Sequence, residues 1–343
     1  MREHFRKQAK ACLQLGSPFT ATLLETVADR LDASSAVGRA VLEWPGNPTA
    51  DAVALRFAGS LHALVLSDAA PALARIYARA DVGIERAVLW SAVADALDRH
   101  EAAVLRFLDS PPQTNEVARC AALLGGFLTI ARETGRPLAL LEIGASAGLN
   151  LHWDDYGYDF GAASWGRADA PLRLAPVWRG PLPPLVRVEV QERQGCDRRP
   201  LDPGDADDRL RLRAYVWPDQ RARLARLEAA LDHAARRDAR VERADAADWV
   251  EARLAARPAG LTTVLFHSIV WQYLQKEVRQ RLVAALERAG AAADADTPLA
   301  WLRMEPKRGH DHADLRLTTW PGAREQVLAD VDYHGRWVTW RAA

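Results

Sequence analysis

One short stretch of the chain is rich in small residues, and the spacing of these residues suits ligand binding. The stretch reads E-I-G-A-S-A-G-L-N and runs from Glu142 to Asn150. Gly144 and Gly148 flank Ser146, and residues this small let the backbone turn tightly and approach a ligand closely. If a helix opens here, its first N–H groups are also free to bind that ligand. Glu142 can accept hydrogen bonds from a cationic or hydroxylated group.

The elements around this stretch predict a parallel sheet. An apolar run before Glu142 is typical of a strand buried on both faces, and the segments after it alternate between helical and strand patterns. Such alternation predicts right-handed βαβ units. We expect parallel strands at about Leu138 to Ile143, Val186 to Val190, Val241 to Arg243, Leu261 to Phe266 and Leu299 to Arg303. Three further pieces, Asp314 to Trp320, Gln326 to Asp332 and Arg336 to Arg341, predict an antiparallel edge.

Two domains are predicted. Residues 1–135 carry only helical patterns, including a helix start at Ser17-Pro18 with serine as the cap and proline in the first turn. Residues 136–343 form the α/β domain. A segment at about 158–185, rich in glycine, proline and tryptophan, is expected to be an excursion between the first helix and the second main strand, with a short strand at Leu172 to Trp178.

Polar residues occur where the predicted parallel strands end. In parallel sheets ligands bind beyond the carboxyl ends of the strands. The residues at these ends are Glu142, Glu192, Asp245, His267 and Glu305. They predict a ligand crevice, in which His267 or Glu305 is the candidate catalytic base.

The spacing of Gly144, Ser146 and Gly148 fits two known motifs. Gly-x-Ser-x-Gly is the nucleophile elbow of α/β-hydrolases, and Ser146, Asp245 and His267 follow in the order of that triad. However, hydrolases place strands before the elbow, and no strand pattern precedes Leu138. The stretch also resembles the first motif of class I methyltransferases, acidic-x-Gly-x-Gly-x-Gly, with Ser146 at the middle glycine.

The methyltransferase resemblance implies a Rossmann-like, mostly parallel sheet of class I type after the all-α domain, with S-adenosylmethionine as cofactor. It implies that Glu142 faces the amino acid end of the cofactor, that Glu192 or Asp197 holds the ribose, and that Asp245 accepts from the adenine. The other implied cofactor-binding residues are Gly144, Ser146, Gly148 and Asn150. We expect an enzyme that methylates a small molecule. A serine hydrolase and a non-catalytic ligand-binding protein of the same fold are the alternatives.

A second resemblance extends over nearly the whole chain. The segments LLEIGASAGLN, QTNE, AYVWPDQ and FHSIVWQYL resemble a bacterial family described only as a domain of unknown function. It implies no activity, so the functional expectation rests on the methyltransferase motif.

The acceptor substrate is expected near a polar helix start. Asn115, Glu116 and Arg119 follow a proline pair, and an arginine fork with an amide offers both donors and acceptors. Trp271 and Tyr273, after the fourth parallel strand, are further candidates for substrate contact.

Composition narrows the classes of partner. The 45 basic and 45 acidic residues cancel, so no overall charge attracts nucleic acid. Three widely spaced cysteines predict neither disulfides nor a zinc site, and His310-Asp311-His312 is typical of a solvated loop, so no metal is predicted.

We find no signal peptide or run of 18 apolar residues, and expect a cytoplasmic protein with no membrane partner. The sequence does not indicate an oligomeric state.

Overall fold

The computed structural model describes residues 1–342, which form two compact units. The first unit contains residues 1–114 and 205–228, and the second contains 115–204 and 229–342. The division falls earlier than the boundary predicted at residue 135. Its cause is the helix Cys120–Thr134, which packs on the sheet of the second unit through close contacts such as Gly126 against Leu302.

The first unit consists of helices, and the second unit has further helices that pack on its own sheet. In chain order they are α1 (Arg2–Gln14), α2 (Pro18–Arg30), α3 (Ala36–Leu42), α4 (Val53–Leu66), α5 (Pro71–Tyr77), α6 (Arg86–Arg99), α7 (Glu101–Leu108), α8 (Cys120–Thr134), α9 (Ala206–Ala214), α10 (Arg221–Ala234), α11 (Ala246–Ala255) and α12 (Lys276–Ala291). As predicted, Ser17 caps α2 by accepting a hydrogen bond from the N–H of Thr20, with proline in the first turn. Phe5, Phe57 and Leu61 are fully buried in the core of the first unit.

The strands all belong to the second unit. They are β1 (Leu138–Ile143), β2 (Gly157–Asp159), β3 (Ser164–Trp165), β4 (Arg173–Leu174), β5 (Val177–Arg179), β6 (Val190–Asp197), β7 (Arg240–Arg243), β8 (Thr262–Ser268), β9 (Leu299–Pro306), β10 (Ala313–Trp320), β11 (Arg324–Val331) and β12 (Trp337–Trp340). Nine of them form one sheet in the order β5-β12-β11-β10-β9-β8-β1-β6-β7. Among the described residues no strand precedes Leu138.

The large sheet is mostly parallel. The strands β7, β6, β1, β8 and β9 run parallel to one another, and β10, β11 and β12 continue the sheet in antiparallel fashion. The predicted mixed α/β architecture, with a helical region before it, is therefore confirmed. The chain moves from β1 to β6 on one side and later to β8 on the other, so the winding direction switches beside β1.

Several predicted boundaries differ from the structure. The second main strand begins at Val190 and not at Val186, because its partner β1 begins at Leu138 and leaves the earlier residues without a neighbouring strand. His267 lies inside β8, which extends to Ser268 because β9 pairs with it as far as Met304. In the excursion, β2, β3 and β4 form a small separate sheet and β5 joins the edge of the large sheet. The single strand predicted at Leu172 to Trp178 is therefore two short strands.

No single helix among residues 1–342 has the length and apolar character needed to cross a membrane; α4 and α5, bent by 105° at the break between them, reach that length and composition only as a pair.

Candidate functional site

The loop after β1 has an unusual backbone that explains its small residues. Gly144, Ser146 and Gly148 all have positive φ, at 68°, 55° and 71°. A Cβ atom at Gly144 would lie 2.4 Å from Cγ2 of Val270, so this position has no room for a side chain. Ser146 adopts a left-handed conformation that costs a residue with a Cβ atom about 1–2 kcal/mol. The middle position of the motif is therefore one that glycine would occupy with less strain.

Protein acceptors hold every backbone N–H of the loop from Gly144 to Leu149. The N–H groups of Gly144 and Ala145 donate to the carbonyl of Cys196 at 2.9 and 3.1 Å. That of Ser146 donates to Oδ2 of Asp197 at 3.0 Å. Gly148 donates to the carbonyl of Ala145.

Asn115 completes this arrangement from the segment before α8. Its Oδ1 accepts from the N–H groups of Ala147 and Leu149, at 3.2 and 3.1 Å. Asn115 and Asp197 therefore fix the shape of the loop. The loop opens a 3₁₀ helix, Leu149–Asp155, and not the α-helix expected after a tight glycine turn.

Glu142 is buried beneath this loop with one oxygen unpaired. Asn150 donates through Nδ2 to Oε1 of Glu142 at 3.5 Å, and the thiol of Cys120 donates to Oδ1 of Asn150 at 3.2 Å. Oε2 of Glu142 has no hydrogen-bond partner among the described residues. Burial raises the pKa of Glu142 well above its ordinary value, and the nearby Asp197 raises it further, against the opposing effects of Asn150 and Arg119.

The predicted substrate residues lie at the start of the second unit and border the loop after β1. Asn115 and Glu116 are 7% and 5% exposed, and Glu116 accepts a hydrogen bond from the N–H of Ala118. Arg119 donates through Nη1 to the carbonyl of Ser268 at 3.2 Å and through Nε to the carbonyl of Tyr333 at 3.0 Å. The polar start that precedes α8 therefore links the loop after β1 with the end of β8.

His267 belongs to a second cluster on the opposite face of the sheet. Because consecutive residues of a strand point to opposite faces of the sheet, the side chains of His267 and Ser268 lie on opposite faces. Nδ1 of His267 lies 2.6 Å from Oε1 of Glu305, and Nε1 of Trp301 donates to Nε2 of His267 at 3.1 Å. The indole N–H requires an unprotonated Nε2, so Nδ1 carries the proton and donates to Glu305. Trp271 stacks on the imidazole at 5.5 Å.

This cluster leaves one oxygen of Glu305 available. Oε1 also accepts from the N–H of Val270 at 3.0 Å, while Oε2 is buried without a hydrogen-bond partner among residues 1–342. Both ring nitrogens of His267 are engaged. The sequence predicted His267 or Glu305 as the catalytic base. Of these two residues, Glu305 is the one with an atom, Oε2, that has no hydrogen-bond partner among residues 1–342.

The remaining predicted residues are spread more widely. Asp245 caps α11, accepting from the N–H of Ala247 at 2.9 Å. Asp197 lies at the carboxyl end of β6, whereas Glu192 pairs with Ala139 near the opposite end of the strands. Tyr273 is 76% exposed and does not join either cluster. The structure thus brings Asp197, and not Glu192, to the loop.

The residues of the alternative hydrolase triad do not form one here. Oγ of Ser146 is buried and has no hydrogen-bond partner among the described residues. The carboxylate that contacts His267 belongs to Glu305, while that of Asp245 caps a helix. A nucleophilic serine needs a base within hydrogen-bond reach, and Ser146 has none.

Sequence reasoning missed three residues that shape the site. Trp301 fixes the tautomer of His267, Arg303 lies over the Trp301 ring at 3.8 Å, and Val270 packs against Gly144. The period-2 pattern of β9 could have indicated the first two, because Trp301, Arg303 and Glu305 share a face.

Comparison with known proteins identifies the family. The model of the family DUF2332, described as "Uncharacterized protein conserved in bacteria", matches residues 2–340, so the chain belongs to this family. Searches of curated proteins and of solved structures found no match.

Proposed function

For this member of the DUF2332 family, we propose S-adenosylmethionine-dependent methyl transfer to a small molecule, on a domain of class I methyltransferase type. The observation that carries the proposal is the position of the loop Gly144–Gly148. It follows the first parallel strand at the point where the winding direction changes, and ligands of such sheets bind at that point. Counted along the chain, the parallel strands lie in the order third, second, first, fourth, fifth.

The side chains near the loop suit the polar groups of this cofactor. Glu142 has a buried oxygen without a hydrogen-bond partner among residues 1–342, which is uncommon in folded proteins and suits a polar ligand. Asp197 ends the second parallel strand and Asp245 follows the third. In this proposal Glu142 accepts from the ammonium group, Asp197 from the ribose hydroxyls and Asp245 from the adenine amino group.

When bound, S-adenosylmethionine supplies an electrophilic methyl group on a sulfonium. The protein would then hold the acceptor in line with that methyl group and receive its proton. Glu305 is the proposed base, because Oε2 has no hydrogen-bond partner among residues 1–342 while Oε1 is fixed by His267 and Val270. His267 is a positioning residue. Asn115, Glu116, Arg119 and Trp271 are proposed to border the acceptor, and Tyr273 to contact it at the surface.

One observation favours a non-catalytic alternative. Every N–H of the loop from Gly144 to Leu149 already has a protein acceptor, so the loop can keep its shape without a ligand. In that case the motif would be a structural turn, and the protein would bind no cofactor there.

Calorimetric titration with S-adenosylmethionine and S-adenosylhomocysteine tests the proposal. We expect saturable binding of one molecule per chain. Gly144→Ala should abolish it, because the new Cβ displaces Val270 and distorts the loop. Ser146→Ala should leave it nearly intact, since Ser146 contributes mainly backbone conformation.

Gly135→Ala is the matched control. Gly135 has a similar φ of 64°, but a Cβ atom there meets nothing within 4 Å. If neither ligand binds the wild-type protein, the proposal fails. If a serine-directed phosphonate labels the protein and Ser146→Ala prevents the labelling, the hydrolase alternative is correct.

A further inference from the structure

Three ligand-type side chains meet in the second unit, on the 3₁₀ helix that follows the loop after β1 and on α10. They are His152, Asp155 and His233. Nε2 of His233 lies 2.9 Å from Oδ2 of Asp155, and Nδ1 of His152 lies 3.8 Å from the same oxygen. The three ligand atoms all lie within 4.8 Å of one another.

The local backbone creates this arrangement. His152 and Asp155 are three residues apart in the 3₁₀ helix Leu149–Asp155, so their side chains share one face. At His152 the helix is kinked, with φ of −100° and ψ of 19°. This region of φ and ψ is sparsely populated and recurs at functional residues. His233, in the last turn of α10, supplies the third side chain.

A hydrogen bond between His233 and Asp155 accounts for only part of the cluster. His152 is 1% exposed, and its Nδ1 has no hydrogen-bond partner among the described residues. A buried imidazole nitrogen that lies 3.8 Å from a carboxylate oxygen and makes no hydrogen bond of its own suits a metal ligand.

We propose that His152 Nδ1, Asp155 Oδ2 and His233 Nε2 bind a divalent transition-metal cation of the Zn²⁺ or Fe²⁺ type. Two imidazoles and one carboxylate are a donor set that both ions use, and three protein ligands leave a coordination position open. The sequence predicted no such site, because His233 lies far along the chain from His152.

The distances require little movement. Metal bonds of about 2.1 Å in tetrahedral geometry place two ligand atoms about 3.4 Å apart. The separations of 2.9 and 3.8 Å from Oδ2 of Asp155 bracket that value. Small rotations of the two imidazoles would complete the geometry.

The surrounding charges suit a partly accessible site. Arg237 donates to the other oxygen of Asp155, Oδ1, at 3.2 Å, and would orient the carboxylate. The Arg237 side chain is 52% exposed and that of Asp155 is 20% exposed, which leaves a path from solvent. Arg193, the other nearby cation, is paired with Asp154.

Metal analysis after removal of bound metal with a chelator and addition of Zn²⁺ or Fe²⁺ tests the proposal. We expect one equivalent of metal per chain and a rise in the melting temperature of the wild-type protein when metal is added. His152→Ala and His233→Ala should lower the affinity by roughly tenfold or more. Co²⁺ would report the ligand geometry by its visible absorption.

Two further variants keep the test decisive. His152 is fully buried, so His152→Ala can impair folding; Asp155→Asn nearly preserves shape and should still lower the affinity by roughly tenfold. The matched control is His310→Ala with His312→Ala, the other histidine pair, where His310 is exposed. Absence of metal binding by the wild-type protein would overturn the proposal. Equal binding by wild type and Asp155→Asn, with loss in the His310 and His312 variant, would do so as well.

Discussion

Glu142 and Glu305 lie near the carboxyl ends of two parallel strands, β1 and β9, which β8 separates, and they are accommodated in different ways. Glu305 is paired: it accepts from His267 Nδ1 and from the N–H of Val270. Among residues 1–342, Glu142 receives only a long hydrogen bond of 3.5 Å from Asn150, and burial raises its pKa, which favours the protonated form.

Each carboxyl group has one oxygen without a hydrogen-bond partner among residues 1–342, so the difference lies in the other oxygen, which two short hydrogen bonds fix in Glu305 and one long hydrogen bond holds in Glu142. Removing one member of a buried pair is expensive, whereas a neutral buried carboxyl can be replaced by an amide at little cost. A cationic ligand, in contrast, would favour the ionised form of Glu142. Glu142 is therefore the better candidate for contact with a cationic group, whereas the fixed Oε1 of Glu305 holds that carboxyl in place as the proposed base.

The largest effect is expected at the paired carboxyl. His267→Leu should lower the free energy of unfolding by about 3–5 kcal/mol, because Glu305 loses one of its two hydrogen-bond donors and the indole N–H of Trp301 loses its acceptor. Urea unfolding measures this change. Glu142→Gln is the matched comparison and, near pH 4, where the carboxyl is largely protonated in the folded and the unfolded chain, should change stability by less than about 1 kcal/mol. Similar losses in the two variants would contradict the distinction.

The loop above Glu142 provides the next largest effect. Gly144→Ala should lower the free energy of unfolding by about 3 kcal/mol, from left-handed strain together with the overlap with Val270. Gly135→Ala introduces only the left-handed strain and should lower the free energy of unfolding by about 1 kcal/mol. Combining Gly144→Ala with Val270→Ala should recover part of the loss in urea unfolding. No recovery would show that the overlap is not the cause.

The pH dependence of stability distinguishes a protonated Glu142 from an ionised one. Its pKa is raised in the folded chain, so above the ordinary glutamic-acid range, near 4.3, the unfolded chain releases a proton that the folded chain retains. Stability is then greatest below that range and falls as pH rises, by at most about 1.4 kcal/mol per pH unit from this group, until Glu142 ionises in the folded state. Glu142→Gln should remove this component in unfolding curves measured from pH 4 to 8. An unchanged profile would contradict the assignment.

The smallest effect is expected at the middle of the loop. Ser146→Gly relieves the left-handed strain but increases the freedom of the unfolded chain, so a net gain of about 0.5 kcal/mol is expected in urea unfolding. Ser146→Ala, which keeps the Cβ atom, should show no gain. A loss of stability in Ser146→Gly would indicate that the buried hydroxyl has a structural role.

The sequence predicted the strands whose apolar pattern is local, and missed features that depend on partners. The bounds of the strand that contains Glu142 and of the strands from Asp314 onward were predicted closely, because the hydrophobic pattern of each lies within its own segment of the sequence. The start of β6 was not, because it depends on where β1 begins. The tautomer of His267 depends on Trp301, which lies on another strand. Likewise, the contact of Asn115 with the loop has no local pattern in the sequence.

The most direct test of the central claim is the titration of S-adenosylmethionine into the protein in two buffers of different ionisation enthalpy. If the ammonium group binds to a carboxyl that burial keeps protonated, binding must release a proton near neutral pH. We expect wild type to bind with this release, and Glu142→Gln to bind more weakly without it. Absence of binding, or the same proton release in Glu142→Gln, would contradict the claim.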